Sequence, residues 1–107
     1  MKVARAGHTL AHLHRKLEFQ TKDLIYAIGS KYPDETAKKT EVYDVSKNKW
    51  EAIGDLNQPR HFHTCSVLDG RYIYVAGGRD SLTETALDTV ERLDGFQPIE
   101  SQRWESI

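Results

Sequence analysis

The side chains with the most chemistry to offer in this sequence are five histidines and a single cysteine. His61-x-His63-x-Cys65 would set three metal-ligating types on one side of an extended strand, and His12-x-His14 adds an alternating pair. Imidazole nitrogen and thiolate sulfur are ligands that zinc takes. Alternate strand residues lie about 6.5–7 Å apart, so neighbours can converge on one ion, though rarely three from one strand. The same segment puts Cys65 and Ser66 close to His63, but alternating strand geometry does not build a nucleophile–base–orienter relay. The bland alternative keeps His8 and His63 hydrogen-bonded inside the fold, makes Cys65 a small buried apolar residue, and leaves His12, His14 and His61 in water. On this reading the chain has no catalytic residue, no metal and no cofactor, and it is not an enzyme.

The bulk composition narrows the partners. Fifteen Lys and Arg face sixteen Asp and Glu, a formal net charge of −1, with 38% hydrophobic residues. So balanced a chain exerts no long-range pull on phosphates or anionic lipid, and neither nucleic acid nor membrane is expected as a partner. No apolar run approaches the roughly 18–20 residues of a membrane span, and Met1–His8 lacks the apolar stretch of a secretory signal. One cysteine excludes an internal disulfide and suits a reducing compartment, so a cytoplasmic location is the expectation.

The elements that carry these side chains occur twice. Arg5-Ala-Gly-His8-Thr9 returns as Arg60-His-Phe-His63-Thr64, 55 residues on, and Leu24–Gly29 returns as Tyr72–Gly77, 48 residues on. Glu41-Val-Tyr-Asp44 returns as Glu91-Arg-Leu-Asp94 after 50 residues, and Lys49-Trp50 returns as Arg103-Trp104 after 54. Four blocks in one order, separated by about one propeller-blade length, indicate a repeat. The changing separations put extra residues near 15–22, 81–86 and 95–101, where loops should absorb them. Leu24–Ile28 and Tyr72–Ala76 are apolar runs suited to strands covered on both faces. Asp69-Gly70 signals a tight hairpin, and Ser46–Lys49 joins a third strand to a fourth. Nothing sustains a helical period, so the chain reads as all-β.

In this order the blocks resemble the kelch repeat, over nearly the whole length from about Arg5 to Ile107. Gly29, Glu41, Tyr43, Asp44 and Trp50 match its pattern in the first unit, and Gly77, Gly78, Glu91, Asp94 and Trp104 in the second. Ser30 stands where a second glycine is usual, and Leu93 where a tyrosine is. No Trp-Asp dipeptide favours the WD type of propeller. The resemblance implies two four-stranded antiparallel blades, 1–54 and 55–107, forming a partial propeller closed only by further blades or other chains. The glycines would permit close approach, Trp50 and Trp104 would pack between blades, and Glu41 and Glu91 would satisfy donors, with Arg5 and Arg60 as partners. A ring needs typically 4–8 blades. The missing ones are expected from a parent chain, of which this would be a fragment cut in phase, from self-association, or from another chain.

Loops 30–39 and 79–86 follow equivalent strands and emerge at one end, where kelch domains commonly bind partners. Lys31, Tyr32, Lys38, Lys39, Arg60, Arg79 and Asp80 would give that rim a partner-binding surface of basic, partly aromatic character. The leading expectation is therefore a protein–protein interaction module, in the manner of scaffolds and adaptors. A structural unit completing a multi-chain, oligomeric propeller is the second reading. A fragment of a galactose-oxidase-like or metal-binding propeller enzyme is the third.

Overall fold

A computed structural model describes residues 1, 4–16 and 21–107. Two four-stranded antiparallel sheets stand side by side, and no described residue is in an α-helix. The first sheet runs in order β1 (Thr9–Lys16), β2 (Thr21–Ile28), β3 (Thr40–Asp44), β4 (Lys49–Ala52). Before the second sheet comes β5 (Arg60–His61), which pairs with β8 (Arg79–Asp80) in a short ribbon of its own. The second sheet contains β6 (Thr64–Leu68), β7 (Tyr72–Ala76), β9 (Val90–Asp94) and β10 (Trp104–Ser106), again as a meander. Each sheet is the antiparallel blade that the repeat implies.

Local chemistry sets the turns. Asp69 and Gly70 both adopt left-handed backbone, with φ of 57° and 60°, the conformation a two-residue hairpin turn demands. Asp44 and Asp94, fifty residues apart, do the same work at equivalent corners: Asp44 accepts from Ser46 N at 3.0 Å and Asp94 from Phe96 N at 2.9 Å. The extra residues near 15–22 do not form a plain loop. They prolong the first hairpin, pairing His14 with Asp23, Arg15 with Lys22 and Lys16 with Thr21, while the 17–20 segment lies outside the described residues.

The core lies between the two sheets. Ala11, Leu13, Leu24, Tyr26, Ile28 and Val42 from the first meet Ile73, Val75, Leu93 and Trp104 from the second, with Leu56 between them. Polar groups inside this layer are paired across it, as burial requires. Trp104 Nε1 donates to Thr40 Oγ1 at 2.9 Å, and Tyr26 OH donates to Gln102 Oε1 at 2.8 Å. Burial pushes the Tyr26 hydroxyl up to about 12, so it remains a donor. Gly29 is required here: its φ is +78°, and a Cβ would lie 2.4 Å from the Arg60 carbonyl oxygen across the interface.

The outward faces are the repeat-equivalents of this core. Trp50 stands opposite Tyr43 and Trp104 opposite Leu93 in the same register. Trp104 is 6% exposed and buried between the sheets. Trp50, on the open face of the first sheet, is only half-buried and leans on Tyr43 at 5.2 Å between ring centroids. The expectation that both tryptophans pack between blades is thus met by Trp104 alone within this chain. Likewise, β2 has consecutive buried residues from Tyr26 to Ile28, whereas β7 alternates between buried and half-exposed residues. The expectation of a strand covered on both faces is thus met by the last three residues of β2 and not by β7. Trp104→Ala should therefore cost about 3–5 kcal/mol of unfolding free energy. Trp50→Ala should cost about 1 kcal/mol, the scale of one aromatic pair. Urea denaturation of the two variants measures both.

Candidate protein-interaction rim

One end of the sheets is tied together by ion pairs that recur in both units. The Arg5 guanidinium donates to the carbonyls of Gly29 at 3.0 Å and Lys39 at 2.7 Å, and to Glu41 at 3.1 Å. Arg60 repeats the pattern with Gly77 at 3.1 Å, Thr89 at 3.0 Å and Glu91 at 3.1 Å. Glu91 uses its remaining oxygen capacity on the backbone N–H groups of Asn57 at 2.6 Å and Gln58 at 3.2 Å, holding the connection between the sheets. Buried charge is tolerated because each guanidinium keeps a carboxylate and two carbonyls on its terminal nitrogens, while Arg5 Nε and Arg60 Nε are buried without a partner. Removing a carboxylate would cost about 3–5 kcal/mol. These are the Arg–Glu partnerships expected from the repeat.

Arg60 must consequently be withdrawn as a partner-binding residue: it is 0% exposed and both its terminal nitrogens are bonded inside the fold. The histidines also depart from the sequence reading. Phe62 has a φ of +52°, so residues 61–65 are not one extended strand and His61, His63 and Cys65 do not share a side. His61 is buried, not in water; its Nδ1 donates to Ser81 Oγ at 2.9 Å, which donates in turn to the Ser30 carbonyl at 2.6 Å. His63 Nε2 meets Thr9 Oγ1 of the first sheet at 2.8 Å. Burial and then the Arg60 charge hold His63 down at about 4, neutral at physiological pH. Burial pushes the Cys65 thiol up to about 11, the opposite of an activated nucleophile. His12 and His14, on the open face, both bond Asp23 Oδ1 at 2.8 Å. Those contacts, His14 foremost, hold the Asp23 carboxyl below its usual range. Among the described residues, no group of three or more His, Cys, Asp or Glu is arranged to hold a metal.

Ser30 is the centre of the rim. Its N–H donates to the Arg60 carbonyl at 3.2 Å, its carbonyl receives Ser81, and its hydroxyl receives Tyr32 N at 3.3 Å. Next to it, Lys31 N donates to the Ala6 carbonyl at 2.8 Å, and Phe62 N to the Gly7 carbonyl at 2.9 Å. Segments from both sheets are thereby fixed around one residue, and three large hydrophobic side chains stand out from them: Tyr32 is 41%, Phe62 67% and Leu82 56% exposed. Lys31 and Arg79 are exposed here, whereas Asp80 is half-buried and caps its own turn, accepting from Leu82 N at 2.8 Å and Thr83 N at 3.1 Å.

A cleft of about 420 Å³ runs alongside, lined by Asp34, Glu35, Lys38, Lys39, Asp55, Pro59 and Leu82. The rim is not basic. Lys39 pairs with Asp55 at 3.6 Å, Arg79 lies 3.9 Å from Glu84, and Arg60 is buried, while Asp34 and Glu35 are exposed. Phe62 is not among the rim residues that the sequence pattern suggests. Its signal lay in the repeat: it occupies the position of Gly7, whose φ is +66°. A bulky residue in left-handed backbone is an outlier worth roughly 1–2 kcal/mol of strain.

Two stacked four-stranded antiparallel blades, locked by repeated Arg–Glu pairs, define a partial β-propeller. Residues 59–94 match the family model described as Kelch motif. The chain is 31% identical over 87 residues to a RING finger domain and kelch repeat-containing protein of Dictyostelium discoideum, covering 81% of this chain and 8% of that one. It is 36% identical over 83 residues to an F-box/kelch-repeat protein of Arabidopsis thaliana, covering 78% and 20% respectively. To Kelch-like protein 15 of Danio rerio it is 37% identical over 54 residues, covering 50% and 9%. The chain belongs to the kelch-repeat family, and it spans a fifth or less of the length of these three relatives.

Because Phe62 is strained and exposed, its removal should be mild. Phe62→Gly is expected to change unfolding free energy by less than about 1 kcal/mol, against the 3–5 kcal/mol typical of a core Phe deletion. Chemical denaturation monitored by circular dichroism checks it.

Proposed function

We propose that the chain is a protein–protein interaction module that engages its partner through the Ser30-centred rim, with Tyr32, Phe62 and Leu82 as anchors and Lys31, Lys38 and Arg79 around them. The observation that carries this reading is Phe62. It is 67% exposed, and its ring meets His61 edge-on at 4.8 Å between centroids, a small return for the strained backbone. Backbone outliers of this kind cluster at functional positions. Aromatic side chains held on a rigid frame are also the residues that most often dominate binding energy. The family supports the same reading at the general level, because the matched relatives combine kelch repeats with RING or F-box parts in their names. By that analogy the module would select the protein that a larger adaptor acts on.

A second reading is favoured by the outward sheet faces. Trp50 and Tyr43 lie where Trp104 and Leu93 are sealed in the second sheet. The chain would then be a unit whose lateral faces join further blades of a propeller. The two readings are compatible, since the rim and the lateral faces are different surfaces.

The rim reading is tested by affinity capture from cells with the wild-type chain, Phe62→Gly with Tyr32→Ala, and Val45→Ala as a control. Val45 is exposed at the opposite end of the first sheet. Partners held by the wild type and by the Val45 variant should fall about tenfold or more with the rim variant, the equivalent of 1.4 kcal/mol. Equal recovery by all three would remove the rim from the function.

A further inference from the structure

Given that the rim is the binding surface, the cleft beside Ser30 adds a chemical class for what it receives. We infer that the partner inserts a Lys or Arg side chain standing next to a large apolar one, the apolar group against Leu82 and the cation against Asp34 and Glu35. The cleft presents its members unequally. Asp34, Glu35, Asp55 and Leu82 are exposed, whereas Lys38 and Lys39 are half-buried and Pro59 is buried. Lys39 is already occupied by Asp55 at 3.6 Å. Asp34 accepts from Thr36 N at 2.9 Å and from Thr36 Oγ1 at 2.5 Å, contacts that favour its charged form. An incoming carboxylate would therefore meet two exposed like charges, of which Asp34 is held in place, before reaching the lysines, and juxtaposed like charges suppress the wrong partner.

The apolar part of the lining, Pro59 and Leu82, is firmly placed. Leu82 projects from a turn in which Ser81 N donates to the Pro59 carbonyl at 3.2 Å and Ser81 Oγ to the Ser30 carbonyl at 2.6 Å. A cation and an alkyl group in adjacent positions suit a cleft whose exposed carboxylates, Asp34 and Glu35, stand ahead of the half-buried Lys38 and Lys39, with Leu82 supplying the exposed apolar group. A volume of about 420 Å³ lies in the range of small-ligand clefts, about 300–1,000 Å³, and suits a short segment of chain. A guanidinium or ammonium between exposed carboxylates also gains charge-assisted hydrogen bonds, and its attraction weakens with salt.

The test is selection of random phage-displayed peptides on the immobilised chain, followed by binding of the enriched peptides to Glu35→Lys, Leu82→Glu and Phe62→Gly variants whose folding is verified by circular dichroism. The expected result is enrichment of Lys or Arg beside a large aliphatic or aromatic residue, with affinity about tenfold lower for Glu35→Lys and for Leu82→Glu. Enriched peptides that are acidic, or that bind both cleft variants like wild type while losing binding to Phe62→Gly, would overturn this inference and leave the rim reading standing on Phe62, with Leu82 removed from its anchors. Peptides insensitive to all three variants, or no enrichment at all, would count against both.

Discussion

Trp104 donates its indole N–H to Thr40 in the other sheet, and Tyr26 reaches back across the same layer to Gln102. Between them lies an apolar slab built from one face of each blade. Neither sheet could hold its shape alone, because a four-stranded sheet with two apolar faces has nowhere to put them except against another sheet. Every feature of the rim depends on that packing. Ser30 meets Arg60, Thr9 meets His63 and Ser81 meets Ser30 only because the two blades are pressed together.

The Arg–Glu pairs translate this packing into precise loops. Arg5 and Arg60 each draw two backbone carbonyls and one carboxylate onto a single guanidinium. Arginine suits the task because its planar fork offers five donors in fixed directions and keeps its charge when buried. The result is a rigid frame at the end of the sheets from which the three exposed hydrophobic residues project. Preorganised anchors lose little conformational freedom on binding, which is what an interaction surface requires.

Much of this was legible in the sequence because repetition reveals constraint. Two occurrences of Arg, Gly, Glu, Asp and Trp in one order were enough to read the blades, the Asp69-Gly70 hairpin and the partners of Glu41 and Glu91. The rest depended on geometry that alternation cannot express. Alternation implies an extended strand through residues 61–65, whereas the left-handed turn at Phe62 rotates His61 and His63 into separate environments. Arg60 looked like a rim cation because loop charges usually face water; here its carboxylate partner lies thirty-one residues away in sequence and within 3.1 Å in space. The rim's charge is hidden from the sequence for the same reason, since Lys39 and Arg79 lie near acidic groups that only folding brings close. Trp50 and Trp104 share a register and a motif, yet differ in burial because a neighbouring sheet covers only one of them.

That last contrast gives the most direct measurement of the central claim. Acrylamide quenching of tryptophan fluorescence, on Trp50→Phe and Trp104→Phe variants that each keep one indole, reports how far each ring is sealed. If blades are held by covering one another's broad faces, Trp104 will emit at short wavelength and resist the quencher, while Trp50 will be readily quenched. Equal accessibility of the two rings would contradict the packing on which the core, the struts and the rim all depend.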